Sequence, residues 1–145
     1  MDKYLDEMIA QINCLTEEVD SLYHQAAVRL GVSDSVLFVL YMLHTNGGQC
    51  MLSEIYKLSG ISKQTINSAV RKLEQEKMVV LEKYNGKAKL VRLTEVGRKL
   101  AEQTAARLFE AERAAFAEWS EEELRMYLEL IRKNNATLKQ QIEKL

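Results

Sequence analysis

The chain of 145 residues contains no proline and only six glycines. Because β-rich folds use both residue types heavily in their turns, this scarcity disfavours an all-β protein and predicts long unbroken helices. Two cysteines, Cys14 and Cys50, are too few for a disulfide framework. No apolar run approaches the roughly 20 residues that cross a bilayer, and the chain start does not resemble a secretory signal. A cytoplasmic protein that contacts no membrane is therefore expected.

Positive charge is concentrated in the middle of the chain. Residues 56–99 carry a net charge of +7, whereas the remaining residues sum to −8 and the whole chain to −1. A basic segment between acidic flanks indicates a surface that meets a polyanion, the alternative being chance clustering of solvated charge. The distribution favours nucleic acid as a partner of the middle segment.

The N-terminal part of the chain predicts two helices. Apolar residues recur every three or four positions over 2–30, which indicates one long amphipathic helix that ends at Gly31. Ser33 or Asp34 caps the second helix, over 35–45, which is apolar nearly all round and is expected to be buried.

The C-terminal part predicts one long helix over 94–117 and another that begins with a capping box of Ser120 and Glu123. The first helix and this last one carry apolar stripes longer than one small core needs. We therefore expect a homodimer, with the polar Asn135 setting its register; folding back onto the chain's own core is the alternative. The predicted dimer seam contains Leu5, Ile12, Leu124, Leu128, Ile131, Asn135, Leu138 and Ile142.

Two short helices lie on either side of Gly60. Ser53 is predicted to cap the first, and Ser62 is predicted to cap the second, over about 63–76. Two helices joined by a turn of three or four residues have the spacing of a helix-turn-helix.

The second of these helices has one apolar face and one polar face. Its core face contains Ile66, Ala69, Val70 and Leu73. Its first three turns carry no acidic residue, so no carboxylate there would repel a phosphate. Gln and Asn can contact adenine with two hydrogen bonds, and Arg can contact guanine in the same way. The predicted DNA contacts are Ser62, Lys63, Gln64, Thr65, Asn67, Ser68, Arg71 and Lys72, a solvated surface helix being the alternative.

A β-hairpin is predicted after this helix. Asn85 and Gly86 separate two β-prone runs, 78–84 and 87–93, and this dipeptide favours a two-residue type I′ turn. No other clear β element is present. Phosphate contacts are expected from Lys83, Lys87 and Lys89.

Over 52–97 the sequence resembles the MarR family of bacterial winged-helix transcription regulators. The long helices on both sides fit as well, so the resemblance covers essentially the whole chain. The motifs that carry it are Leu52, Ile55, Leu58-Ser59-Gly60-Ile61-Ser62, Thr65-Ile66-Asn67, Val70, Leu73-Glu74, Met78-Val79 and Val91-Arg92-Leu93-Thr94-Glu95-Val96-Gly97.

The resemblance implies a mainly α fold with one β-hairpin. A winged helix-turn-helix domain over 34–94 would lie between an N-terminal dimerisation helix over 1–33 and C-terminal dimerisation helices over 95–145. It further implies a repressor that binds a pseudo-palindromic operator as a homodimer until a small-molecule effector releases it. A winged-helix module that binds protein instead of DNA is the alternative.

No enzyme, cofactor or metal site is expected. The sequence contains no glycine-rich phosphate loop, no nucleophile elbow and no clustered His, Cys and Asp ligands.

Two positions depart from the family pattern. Lys77 stands where the family commonly has glycine after the recognition helix, so a positive φ there would cost strain. The wing is shorter than usual, and Asn85-Gly86-Lys87 stands where the family carries Asp-x-Arg. Because lysine reads a narrow minor groove less well than arginine, a smaller contribution of the wing to specificity is expected.

Two kinds of sensor remain open. Some relatives sense oxidants through a cysteine on the first helix, which makes Cys14 a candidate, although a buried structural thiol is favoured because the charged residues near it in the sequence are acidic. Small aromatic effectors are also common in the family. Residues that could line such an effector pocket are Tyr23, Tyr41, Phe109 and Arg113, with ordinary core packing of the aromatic rings as the favoured alternative.

Overall fold

The computed structural model describes residues 2–145. Its elements are α1 (Asp2–Leu30), α2 (Asp34–Thr45), β1 (Gln49–Met51), α3 (Leu52–Leu58), α4 (Lys63–Gln75), β2 (Val79–Asn85), β3 (Ala88–Leu93), α5 (Glu95–Gln103), α6 (Ala105–Phe116) and α7 (Glu121–Ile142). The expected fold class, mainly helical with a winged helix-turn-helix, is confirmed.

The chain forms two compact units, one extending to Leu108 and the other over Phe109–Leu145. The predicted division into 1–33, 34–94 and 95–145, which includes residue 1 outside the described range, stays a prediction.

Helix α2 forms the centre of the first unit. It contacts α1, α4, α5, β1 and β3. As expected from its apolar sequence, it is buried on most sides, and Leu40 and Leu43 are fully inaccessible to solvent. Ser33 caps the helix through a hydrogen bond from the Val36 N–H to its hydroxyl. The other large, fully buried side chains of this core are Val39, Ile55, Ile66, Leu73, Val79 and Val91.

The sheet has three antiparallel strands in the order β1-β3-β2. The prediction of the hairpin as the only β element is therefore incomplete, because β1 pairs with β3 through Gln49, Cys50 and Met51. Three residues are too few to show an alternating pattern, and their partners lie about 40 positions away. The predicted cap at Ser53 is also wrong, since α3 starts directly after the strand and Met51 takes the cap position without a side-chain bond.

The turn of the hairpin lies one residue later than predicted. Asn85 pairs with Ala88, and between Lys83 and Asn85 the register shifts by a bulge. The two turn residues are therefore Gly86 and Lys87, of which only Gly86 has a positive φ, +57°. A type I′ turn needs positive φ at both central residues, so that prediction is wrong; glycine at the first position suits a type II′ turn.

Helix α1 ends as predicted, at a glycine with left-handed backbone. Gly31 has φ +74°, and the Val32 N–H bonds the Ala27 carbonyl in a Schellman motif. The same motif ends α4, where Lys77 takes the place of glycine with φ +61° and the Met78 N–H bonds the Leu73 carbonyl. Lys77 therefore keeps the left-handed backbone that glycine would have at this position, despite the strain expected for a residue with a side chain.

The long helix predicted over 94–117 is interrupted at Thr104. The hydroxyl of Thr104 donates to the Leu100 carbonyl at 2.7 Å, while the Thr104 N–H turns to the Ala101 carbonyl at 3.3 Å. The side chain thus competes for the carbonyl that the backbone would use in a continuous helix. Helix α5 ends there and α6 follows at Ala105.

The second unit contains the predicted capping box. The Ser120 hydroxyl accepts from the Glu123 N–H, and Glu123 Oε1 accepts from the Ser120 N–H at 2.9 Å. These hydrogen bonds lower the pKa of the Glu123 carboxyl. Phe116, Trp119 and Tyr127 stack around this turn, with the Phe116 and Trp119 rings edge to face at 5.3 Å.

Among residues 2–145, no single helix combines the length and apolarity needed to span a bilayer. Only α1 and α2 taken together pass such a test, and the chain bends by 88° between them.

Candidate nucleic-acid interface

Helix α4 combines a buried apolar face with a polar face that is mostly open to solvent. The predicted core face is confirmed, since Ile66, Ala69, Val70 and Leu73 are all buried. Ser62 caps the helix by accepting from the Thr65 N–H at 3.2 Å. No acidic residue occupies the first turn. The amide groups at this helix start therefore face solvent without a competing carboxylate, which suits a phosphate.

The eight residues predicted to contact DNA fall into three groups by their present partners. Ser62 and Thr65 share a hydrogen bond at 2.8 Å between their hydroxyls, and Ser68 donates to the Gln64 carbonyl at 3.0 Å. Three of the eight side chains form no hydrogen bond or ion pair within residues 2–145: those of Gln64, Arg71 and Lys72, which are all exposed. Lys63 and Asn67 contact α3.

Both of these contacts are made by Tyr56 of α3. Its hydroxyl donates a hydrogen bond to Asn67 Oδ1, and its ring lies 4.9 Å from the ammonium of Lys63. Burial raises the pKa of the Tyr56 phenol, which favours the protonated form that donates this hydrogen bond. Tyr56 was not anticipated, because nothing in its sequence context indicates which residue of the next helix it meets.

The turn between α3 and α4 is formed by hydrogen bonds of Ser59, whereas Gly60 is not needed for its backbone conformation. Ser59 is buried, and its hydroxyl donates to the Ile61 carbonyl at 3.1 Å. Gly60 is exposed and does not have a positive φ. The Ser59 hydroxyl therefore connects the end of α3 with the residues that lead into α4.

The exit of α4 is held by Thr94. The Thr94 N–H donates to the Met78 carbonyl at 2.9 Å, and its hydroxyl donates to the Lys77 carbonyl at 2.7 Å. The same hydroxyl caps α5 by accepting from the Gly97 N–H at 3.0 Å. One side chain thus joins the left-handed end of α4 to the start of α5, which was not expected from the sequence.

The three lysines predicted on the wing are exposed on its outer part. Lys83 and Lys89 lie directly opposite each other on β2 and β3, and Lys87 occupies the turn. None of the three forms an ion pair within residues 2–145. Like charges directly opposite on a sheet are destabilising, and a bound polyanion would remove that cost.

The one acidic residue of the hairpin is already neutralised. Glu82 Oε2 accepts from Arg92 Nη2 at 2.7 Å across the two strands. Because both side chains are partly exposed, this pair adds little to stability. The pair instead affects the electrostatic potential around the wing. Because Arg92 offsets the negative charge of Glu82, that charge does not cancel the positive potential of the wing lysines.

The predicted dimer seam is exposed in the single chain. On α1, Leu5 and Ile12 are each 57% exposed, and Ile9, Leu15, Val19 and Leu22 continue the stripe. Helix α7 buries no residue. Leu124 is half-buried, and the exposed seam residues of this helix are Leu128, Ile131, Asn135, Leu138 and Ile142.

The four effector-pocket candidates are divided between the two units. Tyr23 is exposed on α1 and Tyr41 is half-buried on α2, both in the first unit. Phe109 and Arg113 belong to α6 in the second unit, where the Arg113 guanidinium lies 6.0 Å from the Phe109 ring and 3.9 Å from Glu110 Oε1. Their joint role as a pocket stays a prediction.

The cysteines and histidines are dispersed. Cys14 is exposed on α1, so the expectation of a buried thiol is wrong for this chain, because the apolar stripe beside it has no intramolecular cover. Cys50 is buried in β1, and burial raises its thiol pKa, with Glu54 adding to the effect. His24 contacts Asp34 at 3.0 Å. Within residues 2–145 no three His, Cys, Asp or Glu side chains are grouped as metal ligands.

The sequence of the central domain matches a known family model. Residues 30–84 match the model described as the MarR family, which confirms the resemblance drawn from the motifs. No curated protein sequence matches the chain.

Three solved structures share the fold at low identity. The MarR/EmrR family transcriptional regulator from Acinetobacter sp. ADP1 has a TM-score of 0.72 at 23% identity, with 92% of this chain and 96% of that one covered. The S. aureus MepR–DNA complex has a TM-score of 0.66 at 20% identity, with 89% and 96% covered. The PcaV regulator of Streptomyces coelicolor with its natural ligand has a TM-score of 0.62 at 17% identity, with 84% and 89% covered.

Proposed function

Since this chain belongs to the MarR family of DNA-binding transcription regulators, we propose that it is a homodimeric repressor of a pseudo-palindromic operator, released by a small-molecule effector. The observation that carries the proposal is the solvent-facing side of α4, which has an acid-free first turn and the uncommitted side chains of Gln64 and Arg71. Such a face presents amide and guanidinium groups, which read base edges, beside exposed lysines, which bind phosphate.

The wing supports the same proposal. Lys83, Lys87 and Lys89 are exposed and form no ion pair within residues 2–145, whereas Glu82 is paired with Arg92. A winged-helix module that binds an acidic protein would also use lysines, but it has no need of an acid-free helix start with amide side chains. In this proposal the chain acts by occupying DNA and not by catalysis.

Dimerisation is supported by the apolar side chains that the single chain leaves exposed on α1 and α7. One recognition helix buries too little surface to specify a site. Two copies about one DNA turn apart, roughly 34–36 Å, read two half-sites, and a two-fold dimer therefore matches a pseudo-palindrome.

An effector is supported by the ligand-bound PcaV structure, which has the same fold. We propose Tyr23, Tyr41, Phe109 and Arg113 as the residues that would meet a small aromatic molecule. Arg113 would supply the positive charge for an anionic substituent, since its present contacts with Glu110 and Phe109 are long and exposed.

Salt dependence and two substitutions test the DNA-binding proposal. We expect the duplex association constant to fall steeply with salt, with a slope in the log–log plot of about −0.9 per phosphate contacted. Lys87→Ala should weaken binding to all duplexes alike and reduce that slope by about 1 per lost contact, hence by about 2 for a dimer. Arg71→Ala should cost about 1–3 kcal/mol on the preferred site and leave random duplex unaffected.

The measurement is fluorescence anisotropy on an operator selected from genomic fragments and on a random duplex, at four salt concentrations. A salt-independent affinity, or no duplex binding, would favour the protein-binding alternative. If Arg71→Ala kept the full preference for the operator, Arg71 would not be a base-reading residue.

A further inference from the structure

Asn67 differs from the other predicted base-reading residues because a second helix already holds it. It is half-buried, whereas Gln64, Ser68 and Arg71 on the same helix are exposed. Its Oδ1 accepts the hydrogen bond from the Tyr56 hydroxyl, and its Nδ2 forms no hydrogen bond within residues 2–145. Tyr56 thereby selects one orientation of the Asn67 amide.

This orientation changes what Asn67 can recognise. A two-point contact with adenine requires Oδ1 to accept from the N6 amino group while Nδ2 donates to N7. With the phenol on one lone pair of Oδ1, the N6 amino group of adenine can use only the second lone pair of that oxygen, whereas both Nδ2 hydrogens are unengaged within residues 2–145. Donors pair with acceptors in the major groove, which are N7 of either purine, O6 of guanine and O4 of thymine.

The same tyrosine also holds Lys63. The ammonium lies 4.9 Å from the centre of the Tyr56 ring, within the range of a cation–π contact. Lys63 and Asn67 are four residues apart and therefore share a face of α4. Tyr56 contacts this face from α3, so one side chain outside the recognition helix positions two of that helix's eight predicted DNA contacts.

We propose that Tyr56 is a positioning residue for operator recognition, because it engages Oδ1 and directs Asn67 to read its base pair through the Nδ2 donors, without restricting that pair to adenine. The inference rests on the proposed DNA-binding function and specifies how one side chain of that interface works. Contacts that use two hydrogen bonds to one base are left to Gln64 and Arg71.

Selection from randomised duplexes tests the inference. The wild type should accept either purine, or thymine, at the base pair whose preference is abolished by Asn67→Ala. Tyr56→Phe keeps the ring beneath Lys63 and removes only the hydroxyl, which frees Oδ1. That variant should enrich adenine about tenfold or more at the same pair, with other positions and the salt dependence unchanged. The double variant Tyr56→Phe/Asn67→Ala should match Asn67→Ala, because Tyr56 acts through Asn67.

Several outcomes would overturn the inference. One is a wild-type preference for adenine alone at the base pair that Asn67→Ala identifies. Others are an unchanged base preference in Tyr56→Phe, when circular dichroism shows that it is folded, or no effect of Asn67→Ala at any base pair. A purely structural role of Tyr56 would lower affinity for all duplexes together instead of changing one position. Salt-independent or absent binding by the wild type would reject the proposed function itself, and so remains distinguishable from these results.

Discussion

Gly97→Ala should destabilise the protein by about 3–5 kcal/mol, the largest effect expected from a glycine-to-alanine substitution in this chain. A Cβ at this position would lie 1.8 Å from the Met78 carbonyl oxygen and 2.8 Å from its carbon. Both are backbone atoms, so no side-chain rotation relieves the overlap. The carbonyl is also held in place by the Thr94 N–H at 2.9 Å.

The damage would extend to the recognition helix. Moving Met78 away breaks the hydrogen bonds of Thr94 to Met78 and Lys77, which hold the left-handed exit of α4. Urea unfolding followed by circular dichroism measures the loss of stability, and duplex anisotropy measures the loss of binding. We expect both to fall together.

Gly60→Ala is the matched control for this experiment. A Cβ at Gly60 meets nothing within 4 Å, and the backbone there is not left-handed. The unfolding free energy of the Gly60→Ala variant should stay within about 0.5 kcal/mol of the wild-type value. Equal stability of both variants would show that α5 does not approach Met78 as closely as described.

The double variant Leu5→Glu/Ile12→Glu should convert the proposed dimer into monomers. Both residues are more than half exposed in the single chain, so the fold of each chain should survive. In a dimer the same positions would bury four unpaired carboxylates, which costs several kcal/mol for each charge that cannot reach water. Size-exclusion chromatography with light scattering at micromolar concentration measures the mass.

The loss of the dimer should abolish operator specificity. With one recognition helix, the affinity for the operator should fall by about 10³-fold or more, towards the affinity for random duplex. Lys63 and the wing lysines remain in each monomer, so binding to random duplex should decrease much less.

One further variant tests whether added charge disrupts the dimer only when it lies in the seam, and a second tests the role of Asn135. Ala10→Glu/Asn13→Glu adds the same charge to exposed positions of α1 outside the apolar stripe and should leave the dimer intact. Asn135→Leu should still form a dimer but also permit other oligomers, because a single polar seam residue sets register. A monomeric wild type would contradict the dimer, and would indicate that the stripes have no partner copy.

Features that depend on a few neighbouring residues were predictable. The caps at Ser33, Ser62 and Ser120, and the Schellman end at Gly31, each involve hydrogen bonds over three to five positions. The residue types that form such bonds can be recognised from the local sequence. The buried face of α4 was predictable as well, since the helical period alone separates Ile66 and Leu73 from the polar side.

Features that join distant segments were not predictable from these patterns. Strand β1 exists because Cys50 meets Val91, and the exact turn of the hairpin follows from the bulge that places Asn85 against Ala88. The interruption at Thr104 is local in its hydrogen bonds, but threonine occurs within many helices and its presence alone does not predict a break.

The amino-acid sequence was sufficient to identify a winged helix-turn-helix with a basic centre and apolar flanking helices, because periodicity, capping and charge are properties of neighbouring residues. It named Asn67 as a base reader from its residue type and its face of the helix. The contact that orients the Asn67 amide comes from Tyr56, eleven positions earlier on another helix. The Gly97 contact with Met78 likewise depends on how two segments approach each other. These distances are set by packing of the whole core, and for that reason they became visible only in three dimensions.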